Sequence, residues 1–76
     1  MHPDDVKKLL LSEFASCEVT VEGDGRHFDI LVVGDVFAGL RAVQRQQKVY
    51  SVLKDEISAG TIHAVNMKTF TPDEPR

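Results

Sequence analysis

A chain of 76 residues, 42% hydrophobic and 28% charged, has the composition of one globular domain, and its length leaves little interior for a deep enzyme pocket. A net charge of −3 and a pI near 5.5 argue against non-specific nucleic-acid binding. Cys17 is the only cysteine, which excludes an internal disulfide and fits a reducing compartment.

The chain opens MHPDDVKK, without the apolar core of a signal peptide, and no apolar run is long enough to span a membrane. A cytoplasmic protein is therefore expected. Pro3, Asp4 and Asp5 suit the first turn of a helix. Val6, Leu9, Leu10 and Phe14 then repeat at helical spacing and predict a helix over about residues 4–15. Cys17, Val19 and Val21 alternate with Glu18, Thr20 and Glu22, the pattern of a half-buried strand. Gly23-Asp24-Gly25 reads as a hairpin turn, and Phe28–Val33 as a central apolar strand.

Gly34 and Asp35 break that strand, and Val36, Phe37 and Leu40 read as a short helical turn or loop packed on the core. A long helix is predicted from about Arg41 to Ser58, with Leu40, Val43, Gln47, Tyr50, Leu53 and Ile57 as its apolar repeat and Ala59-Gly60 as its stop. Ile62, Ala64, Val65, Met67 and Phe70 form a last strand. Thr71-Pro72 ends it, and a final helical turn can start at Pro72. The order αββαβ predicts one α+β domain over residues 1–76. Its hairpin and helical crossover would give a three-stranded mixed sheet with two helices on one face.

Two histidines stand at strand starts. His27 precedes Phe28, and His63 follows Ile62 in the last strand, so both can reach one edge of the sheet. They are either a metal site or two surface histidines. If Ile62 and Ala64 face the helices, His63 faces the open side. Cys17 is a buried small hydrophobe, a metal ligand or a redox site, the first being commonest. No CxxC, HxxxH or P-loop is present. Arg41, Arg45, Lys48 and Lys54 make the long helix locally basic. That face is either simply solvated or a surface for an acidic partner or a nucleic-acid backbone, without an aromatic platform for bases.

As a set, several segments resemble the BolA-like family. They are His27-Phe28, Val32-Val33-Gly34, Phe37-Ala38-Gly39-Leu40, Val43-Gln44-Arg45, Val49-Tyr50-Ser51-Val52-Leu53, Ile62-His63-Ala64 and Thr69-Phe70-Thr71-Pro72. Gln44-Arg45-Gln46-Gln47 and the Gly23-Asp24-Gly25 turn look more like the family's bacterial IbaG-type branch. The resemblance implies a fold related to class II KH domains and a non-enzymatic role in iron or stress responses. It implies a monothiol CGFS glutaredoxin partner, sharing a [2Fe–2S] cluster held by glutaredoxin and glutathione thiolates on one side. On the other side, His63 matches the family's final-strand ligand. The family's second ligand, a His or Cys of the hairpin region, has His27 as its nearest counterpart, because residues 22–26 contain neither type. The family often ends T-P-x-E-W, and here Pro75 replaces the tryptophan.

The expected function is thus a cluster-sharing adaptor, free as a monomer or weak homodimer, with Arg41, Arg45 and Lys48 as its docking charges. The alternative is a KH-like transcriptional regulator using the same helix on DNA. A third reading is an interaction domain without a metal.

Overall fold

In the computed structural model, which describes residues 1–76, the first helix, α1, spans Pro3–Glu13. His2 caps it: its Nδ1 accepts the Asp4 N–H at 3.1 Å, and the Asp5 carboxylate accepts the His2 N–H at 3.2 Å. These bonds satisfy two groups that a helix terminus otherwise leaves bare. Val6 and Leu10, one turn apart, are buried. The helix stops two residues short of the expected Ala15. Phe14 leaves helical geometry (φ −117°, ψ 51°) and sends its ring into the core, with its centroid 6.0 Å from that of Phe37.

β1 (Glu18–Gly23) and β2 (His27–Val33) form the expected antiparallel hairpin, with Glu18 opposite Val33 and Gly23 opposite Phe28. Its turn is built around Asp24, whose Oδ1 accepts the N–H groups of both Arg26 and His27 at 2.9 Å. Gly25 takes the left-handed backbone (φ 95°) that this tight reversal requires. A 3-10 turn over Asp35–Phe37 follows and buries Phe37.

α2 spans Ala42–Ser58, and the Gln44 side chain accepts the Arg41 N–H at its start. At its end Gly60 has φ 77°, and the Thr61 and Ile62 N–H groups both donate to the Glu56 carbonyl. β3 is Ala64–Phe70 and runs parallel to β2, with His27 opposite Ala64 and Val33 opposite Phe70. The sheet order is β1-β2-β3, so β3 is an edge strand.

Phe28, Ile30 and Val32 alternate inward along β2 and meet Val6 and Leu10 of α1 and Val49 and Leu53 of α2. This is the expected α+β sandwich of two helices on a mixed three-stranded sheet. Two boundaries differ. Ile62 belongs to no strand; it is a buried plug in the bend before β3. The segment after β3 makes a single turn closed by the Glu74 N–H on the Thr71 carbonyl, not a helix.

Candidate functional site: two histidines beside an open groove

The hairpin and the crossover bring the backbones of the two histidines together. His27 opens β2 and stands opposite Ala64, and His63 is the residue before Ala64. The N–H groups of His63 and Ala64 both donate to the Arg26 carbonyl, at 3.0 and 3.2 Å. Both side chains are exposed. Asp24 Oδ2 lies 3.5 Å from His27 Nδ1. The N–H groups of His27 and Arg26 are the main cause that lowers the Asp24 carboxyl to about 2, with the His27 ring adding to it.

The expectation that His63 faces the open side of the sheet is corrected. It assumed that Ile62 and Ala64 point inward in one continuous strand. The regular alternation starts only at Ala64: Val65 and Met67 pack on the core, while Ala64, Asn66 and Lys68 are exposed. His63 lies in the preceding bend and lines a groove between α2 and β3, a groove that His27 does not line.

The α2 wall of that groove sets two exposed apolar side chains, Val43 at 62% and Tyr50 at 46% exposure, among Gln46, Gln47 and Lys54. Seven residues apart, Val43 and Tyr50 lie on one helical face, next to the face that carries Val49 and Leu53. The expected repeat puts Val43 and Tyr50 in one stripe with Leu53. Val49 and Leu53 serve the core, whereas Val43 and Tyr50 face the groove. The opposite wall is the edge of β3. Ala64 donates its N–H to Arg26, and the Phe70 carbonyl accepts from Gly34, so this set of alternate residues is bonded to β2. In a parallel ladder the intervening residues then turn their backbone groups outward. Val65 and Met67 therefore present theirs to the groove.

The cations expected as one docking set do not form one. Arg45 is 13% exposed and engaged internally. Its Nη1 and Nη2 donate to the two Glu74 carboxylate oxygens at 2.6 and 3.1 Å, its Nε donates to the Leu40 carbonyl at 2.9 Å, and Nη1 reaches the Thr69 carbonyl at 3.4 Å. Glu74 also accepts the Thr71 N–H at 2.7 Å. The Arg45 guanidinium, and next the Thr71 N–H, hold the Glu74 carboxyl at about 2. Arg45 thus clamps the segment after β3 to the start of α2. Arg41 and Lys48 are exposed, but neither lines the groove. Lys48 lies two residues, or about 200° around the helix, from Tyr50. Lys54 is the helix cation that does line it.

Cys17 is buried and free, and burial is the main cause that raises its thiol pKa. A protonated thiol inside the core is a packing residue, not a ready ligand. No group of three or more His, Cys, Asp or Glu side chains is placed to hold a metal ion. The donor set at the strand starts is therefore two imidazoles. This set fits a metal centre completed by another molecule and does not fit one held by this chain alone.

Comparison with known proteins agrees with this architecture. The family described as BolA-like protein matches residues 9–74. The chain is 39% identical over 74 residues to the acid stress protein IbaG of Escherichia coli, covering 97% of this chain and 88% of that protein. It is 38% identical over 52 residues, 68% of this chain and 50% of the other, to a protein of Haemophilus influenzae named DNA-binding transcriptional regulator BolA. Among solved structures, a bolA protein homologue from Coxiella burnetii superposes with a TM-score of 0.84 at 34% identity, covering 96% of this chain and 94% of that one. BolA1 from Arabidopsis thaliana gives a TM-score of 0.84 at 27% identity over 97% and 95% of the two chains. With the αββαβ order and a family match over residues 9–74, the chain belongs to the BolA-like family.

Proposed function

We propose that the protein is a non-enzymatic cytoplasmic adaptor that docks on a monothiol CGFS glutaredoxin and shares a [2Fe–2S] cluster with it, in iron–sulfur trafficking or in sensing iron and stress. His63 and His27 are the ligands from this chain, and glutaredoxin and glutathione thiolates supply the rest. The observation that carries this reading is a pair of exposed imidazoles at adjoining strand starts, one lining an apolar groove, with no third ligand side chain to close the site. An incomplete donor set beside an uncovered apolar surface suits a protein whose partner completes both.

When bound, the cluster supplies one-electron and iron–sulfur transfer chemistry, at a potential that histidine ligation raises above that of an all-thiolate site. This chain's part is to present imidazole nitrogens with a free lone pair to the iron. Val43 and Tyr50 provide the apolar docking wall, and Lys54 beside them favours an acidic partner surface.

The test is to mix the protein with a CGFS glutaredoxin, glutathione, iron and sulfide, and to record visible absorption and circular dichroism. A mixed complex should give a spectrum distinct from that of the glutaredoxin homodimer. An unchanged homodimer spectrum at saturating protein contradicts the proposal. One observation favours a second reading: Arg41 and Lys48 are exposed on α2 away from the groove, where a phosphate backbone could lie. A duplex bound with steep salt dependence, and no mixed cluster, would select it.

A further inference from the structure

We propose that Asp24 is a positioning residue that holds the His27 imidazole as its Nδ1–H tautomer and so keeps the Nε2 lone pair facing outward for iron. The inference rests on the cluster-sharing reading and concerns a group that never touches the metal.

The geometry starts in the hairpin turn. Asp24 Oδ1 accepts two backbone N–H groups, those of Arg26 and His27, each at 2.9 Å. The Asp24 N–H in turn donates to the His27 carbonyl at 3.3 Å. The carboxylate is therefore fixed at both ends of its residue before any side chain is considered. Its second oxygen, Oδ2, is left facing His27 Nδ1 at 3.5 Å. An ionised carboxylate only accepts, so this contact favours the ring form with its proton on Nδ1. A neutral imidazole has one proton, which leaves Nε2 as the free lone pair. A carboxylate on the far nitrogen is the usual companion of a metal-bound histidine, because it fixes the tautomer and the ring orientation.

His2 differs: a carboxylate oxygen of Asp4 lies 3.7 Å from its Nδ1, but a backbone N–H lies closer to the same nitrogen. His2 Nδ1 accepts the Asp4 N–H at 3.1 Å, so it must be unprotonated, and the neutral ring there carries its proton on Nε2. Two exposed histidines of one protein should thus show opposite tautomers, each set by its own local bond.

Asp24→Asn is the informative substitution. The amide oxygen can keep both backbone N–H groups and hence the turn, which turns the amide NH2 toward His27 Nδ1. A donor now faces that nitrogen, which must accept, so the proton moves to Nε2 and the outward lone pair is lost. Long-range proton–nitrogen correlation spectra of the metal-free, nitrogen-15-labelled protein in mildly alkaline buffer read the tautomers directly. In the native protein His27 should be mainly Nδ1–H and His2 mainly Nε2–H. In Asp24→Asn His27 should change to Nε2–H while His2 does not, with unchanged amide shifts in β2 as the control for folding. A native His27 that is mainly Nε2–H, or a tautomer unmoved by Asp24→Asn, overturns the inference.

The second arm uses the mixed complex with glutaredoxin, glutathione, iron and sulfide. Asp24→Asn should reproduce the spectral change caused by His27→Ala. If His27→Ala alters the cluster spectrum and Asp24→Asn does not, Asp24 has no positioning role. If the tautomer switches as described but neither substitution alters the spectrum, Asp24 still sets the tautomer, and it is His27's place in the cluster reading that fails.

Discussion

Single side chains decide whether this small surface can hold metal. His63→Ala should keep its fold to within about 0.5 kcal/mol, because an exposed side chain in a bend adds little to the core. It should still change the absorption of the mixed cluster. His27→Ala should give the smaller change, since the residue lies outside the groove that His63 lines. Equal and native spectra for both folded variants would remove the imidazoles from the site. A second residue-scale prediction concerns Gly34, whose backbone is extended (φ −176°) and carries no strain. A methyl group there would be driven into Cys17 Sγ. Gly34→Ala should therefore cost about 1–3 kcal/mol in urea unfolding, the range for overfilling a packed core. Adding Cys17→Ala should recover part of that loss. Additive effects of the two substitutions would mean that they do not share the space.

At the scale of elements, α2 shows what a sequence can and cannot tell. The 3–4 repeat announced the helix and its span well, because periodicity reports local geometry. It could not tell which apolar residues meet the sheet, because that depends on how the helix is rotated about its axis on the sheet. Val49 and Leu53 face the core, and Val43 and Tyr50 do not. The signal that was available is the polar residues Gln46, Gln47 and Lys54 on the same face as Val43 and Tyr50, a face too polar for an interior. Leu53→Ala should cost about 2–5 kcal/mol. Tyr50→Ala should cost far less in stability yet weaken glutaredoxin binding. A Tyr50→Ala protein that binds normally would move the docking surface elsewhere.

The ion pair of Arg45 is not legible in the sequence for a related reason. The Arg45 charge was legible among the helix cations, but its partner Glu74 is 29 residues away, across β3. The clamp predicts a pH dependence. Glu74 is held at about 2 in the fold, against an ordinary value of 4.5. Its folded value is depressed, so its contribution to stability is fully present above about pH 4.5 and is lost as pH falls toward 2. Thermal melts of Glu74→Gln should lie below the native protein at pH 6, and the gap should close between roughly pH 4.5 and 2. A gap independent of pH would mean that the pair adds only packing.

At the scale of the whole molecule, the order αββαβ was readable because each element carries its own period and its own stop. The neighbourhood of the two histidine backbones is readable in part. Spacing put His27 and His63 at strand starts, and the parallel register of β2 and β3 joined those starts. The face of His63 was not readable, since it depends on a bend that detaches Ile62 from the strand. A domain of this size has no interior in which to enclose a cluster, and on the proposed reading a second molecule completes the ligand set. The most direct measurement of that claim is pulsed electron paramagnetic resonance on the reduced mixed cluster with a CGFS glutaredoxin. The native protein should show nitrogen hyperfine coupling of histidine bound to iron, and His63→Ala, shown folded by far-UV circular dichroism, should lose the His63 share of it and keep that of His27. An undiminished nitrogen coupling in the folded His63→Ala complex, or none in the native one, would contradict the account.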